Sequence, residues 1–143
     1  MTPALQAQQT GEVAVGEPVR VGMLGCGAVG TGVARLLQEH AGELRDRTGT
    51  TIELRRVAVR DLRKLRDPAV DPGWLTDDPM AVVTDPEVDV VVEAMGGIEP
   101  ARSLMLEAFR LGKPVVTANK ELLASSGDTL FDAADAAGVD LKF

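Results

Sequence analysis

Gly25, Gly27 and Gly30 stand as G-x-G-x-x-G in the stretch Gly25-Cys26-Gly27-Ala28-Val29-Gly30. The apolar run Val19–Leu24 leads into it, and an amphipathic stretch follows. Residues of this type at this spacing can hold a pyrophosphate. Gly25 lets a strand turn sharply. Gly27 has no Cβ, so a phosphate can come close to the backbone. Gly30 lets the next helix pack tightly on a sheet. That helix would aim its unpaired N–H groups and the positive end of its dipole at the anion. The glycines alone fit any tight turn. The strand before them and the helix after them turn the pattern into a dinucleotide-binding signal.

Three further groups could do chemistry. Arg60 is the first residue after the second predicted strand, followed by Asp61, Arg63, Lys64 and Arg66. In a dinucleotide-binding unit this loop meets the adenosine ribose. A carboxylate there suits the 2′-hydroxyl of NAD, and an arginine suits the 2′-phosphate of NADP. The alternative is a solvated basic loop. In a chain of net charge −7, basic residues clustered at this point favour NADP, with NAD possible. Gly96 and Gly97 follow the expected strand Val88–Glu93, where they would let backbone approach a ligand or form a plain strand-to-helix turn. Thr117, Asn119 and Lys120 follow Pro114–Thr117 on the same edge of the sheet. Lys120 is an electrostatic anchor or proton-handling group if it meets a cofactor, and a surface residue if it does not. Cys26 has no histidine placed to act as its base, and a small residue suits its loop. His40 is the only histidine, which favours a packed or edge position over a metal or catalytic one.

The elements that must position these groups alternate strand and helix. Strands are expected at Val19–Leu24, Thr51–Val59, Leu75–Thr76, Val88–Glu93, Pro114–Thr117 and Val139–Phe143. A first helix is expected from Ala28 to Arg47, its buried stripe formed by Val29, Val33, Leu36, Leu37, His40 and Leu44. Asp78 before Pro79 reads as an N-cap opening a short helix to Thr84. A third helix begins near Pro100 and buries Ala101, Leu104, Met105, Ala108 and Phe109. A last one begins near Ser126, carries Leu130, Phe131, Ala134 and Ala137, and ends at Gly138. Three consecutive valines, Val90–Val92, suit a central parallel strand covered on both faces. Trp74 reads as a local packing anchor. The fold class is α/β, a Rossmann-type doubly wound parallel sheet in a single domain.

Composition sets outer limits. The chain has 143 residues, about one domain's length. Residues 1–18 have neither the basic start nor the apolar core of a signal peptide and read as a loose extension. No apolar run approaches the roughly 18 residues of a membrane span. One cysteine permits no internal disulfide, which fits a reducing cytoplasm. The acidic balance and an aromatic content of 3% argue against nucleic-acid binding.

The glycine loop, Val92-Glu93-Ala94-Met95-Gly96-Gly97, and Gly112-Lys113-Pro114-Val115-Val116-Thr117-Ala118-Asn119-Lys120 together resemble homoserine dehydrogenase. This NAD(P)-dependent oxidoreductase interconverts L-homoserine and L-aspartate 4-semialdehyde. The resemblance covers residues 19–143 and implies the enzyme's nucleotide-binding domain. It implies that backbone at Gly27, Ala28 and Val29 holds the pyrophosphate and that Arg60 binds the 2′-phosphate. Gly96, Gly97, Thr117 and Asn119 would lie near the nicotinamide, and Lys120 would contact the cofactor. The substrate and dimerisation domain of that family follows the position of Phe143, so this chain alone is expected to be inactive, and the longer enzyme to be a homo-oligomer. Two alternatives stay open. One is the dinucleotide-binding domain of another two-domain oxidoreductase. Sugar-type members carry Glu-Lys-Pro after the fifth strand, where this chain has Asn119-Lys120-Glu121. The other is a non-catalytic nucleotide-sensing module.

Overall fold

The computed structural model describes residues 17–143. The extension expected over 1–18 lies outside them apart from Glu17 and Pro18. The elements are β1 (Val19–Leu24), α1 (Ala28–Glu39), α2 (Ala41–Thr48), β2 (Ile52–Ala58), β3 (Leu75–Thr76), α3 (Pro79–Val83), β4 (Val90–Glu93), α4 (Ala101–Arg110), β5 (Val115–Thr117), α5 (Lys120–Ala137) and β6 (Leu141–Lys142). A single 3-10 turn, Pro72–Trp74, precedes β3. All six strands are parallel, in the order β3-β2-β1-β4-β5-β6. The order reverses between β1 and β4. Ligands of open α/β sheets bind outside the strand carboxyl ends at such a point.

The period-two alternation of β1 sorts its side chains onto two cores. Val21 and Met23 join Ala34, Leu54 and Val57 on the α1 side. Leu24 joins Val82, Val91, Leu104, Phe109, Leu122 and Leu130 under α3, α4 and α5. Gly22 points to the second face, where a Cβ would stand 2.6 Å from Val82 Cγ1 and 2.8 Å from Val88 Cγ1. The missing side chain is what lets α3 lie close to the sheet. Asp78 caps α3 as expected, accepting from Met80 N–H at 3.1 Å with Pro79 at the first helical position. At the other end of α3, buried Lys113 donates from Nζ to Val83 O and Asp85 O, each at 2.6 Å. Burial pushes this ammonium below the ordinary lysine range, and Asp85 and Asp89 pull it partly back.

Three expectations are corrected. The first helix does not run on to Arg47: it breaks at His40 (φ −113°, ψ 24°) into α1 and α2. The buried stripe of α1 is shifted from the one expected. Val29 and Leu36 are 53% and 50% exposed, while Gly30 and Ala34 are buried and Val33 and Leu37 half-buried. Small residues face the sheet because the glycine loop brings α1 in close. His40 is exposed and pairs with Glu43 at 2.9 Å. Finally, the last helix starts at Lys120, with a kink at Ser126 where the expectation placed its beginning. Its N-cap is Asn119, whose Oδ1 accepts from Leu122 N–H at 3.0 Å. Phe131 of this helix is 36% exposed and stacks edge-to-face on Phe143.

A Cβ on Gly30 would stand 2.6 Å from Gly25 O, a backbone atom with little room to yield. Gly30→Ala is therefore expected to lower the unfolding free energy by about 1–3 kcal/mol, the cost of overpacking. Urea denaturation checks this, and an unchanged midpoint would show that the α1–β1 contact is looser than drawn.

Candidate dinucleotide site

The crevice is built on backbone. Gly25 N–H donates to Ala58 O at 2.9 Å and Ala94 N–H to Leu24 O at 2.8 Å, so β1 is pinned to both neighbours at its carboxyl end. Gly25 then takes φ +93°, a conformation L side chains rarely adopt, and a Cβ there would stand 2.8 Å from Ala94 O. Two residues later Gly27 opens α1 as its N-cap, with no side chain satisfying the first N–H groups. A Cβ on Gly27 would meet nothing within 4 Å. The loop thus leaves backbone donors and open space together, which is what a pyrophosphate needs.

A cavity of about 540 Å³ lies here, lined among others by Gly25, Gly27, Arg60, Lys64, Arg66 and Met95. Arg60 and Lys64 are exposed and make no ion pair among the described residues. Their neighbours are committed. Arg63 pairs with Asp61 at 3.5 Å. Arg66 spans the cavity wall, donating to Cys26 O at 3.1 Å and to Asp61 O at 3.0 Å. Its Nε is buried without a partner. Arg35 of α1 grips Asp67 at 2.5 Å. The loop after β2 is therefore strapped to the glycine loop and to α1, and its Arg60 and Lys64 are without an ion-pair partner among the described residues. The group that the fold implies, a dinucleotide, fits this donor set: neutral backbone N–H groups at the loop and unpaired cations beyond them.

The second half of the crevice turns on a residue the sequence reading passed over. Glu93, the last residue of β4, is fully buried. Its Oε2 accepts from Met95 N–H at 3.1 Å, Gly96 N–H at 3.2 Å and Asn119 Nδ2 at 3.4 Å. Its Oε1 accepts a very short bond from the Thr117 hydroxyl. That hydroxyl in turn accepts from Asn119 N–H at 3.0 Å, and Asn119 Nδ2 also donates to Gly97 O at 2.6 Å. A carboxylate at the end of an all-valine parallel strand, where burial is expected, was the available signal.

The expected site residues therefore fall into two sets. Gly25, Gly27, Arg60 and Lys64 line the cavity; Ala28 and Val29 are the exposed start of α1 beside it, and Gly30 is buried beneath. Gly96 and Gly97, both at positive φ, are joined to Thr117 and Asn119 through Glu93. Thr117 and Asn119 are buried, their side chains spent on these internal bonds. Lys120 is exposed at the first turn of α5 and is not among the residues lining the cavity. Cys26 is buried, with Thr31 Oγ1 3.8 Å from its sulfur.

A parallel sheet with a glycine-rich strand-to-helix turn and a cavity at its switch point defines a dinucleotide-binding domain of the Rossmann type. Comparison with known proteins narrows this further. The family model described as homoserine dehydrogenase, NAD-binding domain, matches residues 25–143, and the chain belongs to that family. It is 48% identical to homoserine dehydrogenase of Corynebacterium glutamicum over 90% of its own length and 40% identical to that of Bacillus subtilis over 87%. It spans 28% and 29% of those two proteins. The crystal structure of a homoserine dehydrogenase from Thiobacillus denitrificans superposes with a TM-score of 0.82 at 48% identity, covering 89% of this chain and 29% of that one. The Staphylococcus aureus enzyme gives 0.83 at 36% identity, covering 89% and 32%.

The strap carries a pH response. Ala69 N–H and the Arg35 guanidinium hold the Asp67 carboxyl below its ordinary range. A carboxyl lowered by folding contributes fully above its ordinary range, and the contribution is lost as pH falls through the lowered value. Asp67→Asn is expected to speed amide exchange over residues 60–71 at neutral pH, with little further change on acidification. Hydrogen exchange measured at neutral and acid pH checks it; identical exchange in both proteins at neutral pH would remove the strap.

Proposed function

We propose that this chain is the cofactor-binding part of an enzyme that interconverts L-homoserine and L-aspartate 4-semialdehyde, and that it takes NADP(H) in preference to NAD(H). The observation that carries the cofactor choice is the pair of unpaired cations, Arg60 and Lys64, on the loop that meets the adenosine ribose. When bound, the nicotinamide supplies the hydride chemistry. The chain's own residues bind and orient it. Backbone at Gly27, Ala28 and Val29 holds the pyrophosphate, and Arg60 with Lys64 holds the 2′-phosphate. The turns at Gly96–Gly97 and Thr117–Asn119 face the nicotinamide end, with Lys120 beside the reacting centre as anchor or proton-handling group. The groups that hold homoserine belong to the part of the relatives that this chain does not span, and there too lies the contact between copies that makes the longer enzyme a homo-oligomer. The partner is then a small molecule, not a nucleic acid. No helix among the described residues is long and apolar enough to cross a membrane, and a cytoplasmic location is in keeping with the lone cysteine.

Calorimetric titration tests the preference. Arg60→Ala is expected to weaken NADPH binding about tenfold, the low end for a charge-assisted hydrogen bond in an exposed loop, and to leave NADH nearly unchanged. Equal losses for both cofactors would overturn the assignment. For Lys120 the test is turnover of the longer enzyme. Lys120→Ala is expected to cut it by roughly 10²-fold or more, the scale of general acid–base catalysis, with melting temperature unchanged. Unaltered turnover would return Lys120 to the surface.

A further inference from the structure

We infer that Glu93 is the positioning residue of the nicotinamide end: it holds the 94–97 turn and the first turn of α5 in one fixed relation. This rests on the dinucleotide reading above and adds to it a residue that touches neither cofactor nor substrate.

The bond directions leave little freedom. Thr117 Oγ1 accepts from Asn119 N–H and donates its own proton to Glu93 Oε1. Asn119 Oδ1 accepts from Leu122 N–H, so its amide N–H groups point to Glu93 Oε2 and Gly97 O. Met95 and Gly96 donate backbone N–H groups to Oε2. Every group that reaches Glu93 is a donor, and the carboxyl accepts throughout, the pattern of the ionised form. Among the described residues no cation takes part. The turn after β4 and the cap of α5 are thereby joined twice, through the Glu93 carboxylate and through the Asn119 amide on Gly97 O. Gly96 and Gly97 follow with φ +76° and +75°, so the path of the turn is set by that anchor and by Asn119 on Gly97 O. Lys120 is the residue next to Asn119. Because Glu93 is fully buried, it acts through these groups rather than on a ligand.

An amide at position 93 cannot satisfy the same partners. With its NH2 group at the Oε2 position it would face three donors. Turned the other way it would face the Thr117 hydroxyl and leave that proton without an acceptor.

The experiment compares two probes on the purified chain: NADPH, and 2′-phospho-ADP-ribose, which lacks the nicotinamide. Glu93→Gln is expected to weaken NADPH about tenfold, that is about 1.4 kcal/mol, and 2′-phospho-ADP-ribose by less than about twofold. Thr117→Val should give the same selective loss, and Thr117→Ser, which keeps the hydroxyl, should restore most of it. The Thr117 pair decides the matter if Glu93→Gln does not fold. A general loss of structure would weaken both probes alike, so equal losses, or no loss, overturn the inference. Failure of the unsubstituted chain to bind either probe would instead overturn the dinucleotide reading on which it rests.

Discussion

The site depends on one close approach of backbone to backbone. At the carboxyl end of β1 the turn at Gly25 lies against the start of the turn after β4, with no space for a Cβ between Gly25 and Ala94 O. Gly30 closes the same knot from the helix side, against Gly25 O. The contact brings together β1, α1 and β4, the elements on either side of the point where the strand order reverses. Parallel strands leave their carboxyl ends on one edge, so the loops after β1, β2, β4 and β5 all emerge there. A wider β1–α1 turn would carry the helix N-terminus off that edge and separate the phosphate-facing loop from the rest of the crevice.

Charge is distributed unevenly around this knot. On the loop after β2 the groups are cationic and exposed, with Arg60 and Lys64 in water and Arg66 and Arg35 tying the loop down. Attraction for a phosphate there reaches out into solvent and is screened by salt. At the other end the charge is a single buried carboxylate, held by neutral donors. Burying an ionised carboxyl is costly unless its oxygens are fully hydrogen-bonded. That demand is what gives Glu93 its rigidity: loss of any one donor leaves charge unsatisfied in the core. The two ends thus differ physically: one attracts an anion from solvent, the other fixes the path of its backbone. Lys113 answers a similar demand structurally, its ammonium shared between two carbonyl oxygens at the end of α3.

Features that depend on short spacing could be read from the chain alone. The three glycines, the valine run of β4, the Asp78-Pro79 cap and the glycine end at Gly138 are local signals, and the doubly wound parallel sheet they imply is the one observed. The family, too, was legible in three short stretches, the glycine loop, Val92–Gly97 and Gly112–Lys120, because each is contiguous in the chain. Features whose partners lie far apart in the chain emerge only in the folded molecule. α1 buries Gly30 and Ala34 instead of Val29 and Leu36, because the sheet lies too close for larger side chains. α5 starts at Lys120 because Asn119 is held by Glu93 and Gly97, 26 and 22 residues away, and is thereby fixed as a cap. Ser126, a plausible cap on local chemistry, became a kink once that earlier start was in place. Glu93 itself was unremarked as a strand-ending acidic residue. Its role exists only when β4, β5 and the cap of α5 meet, since a buried carboxylate takes its meaning from donors that the chain order does not bring together.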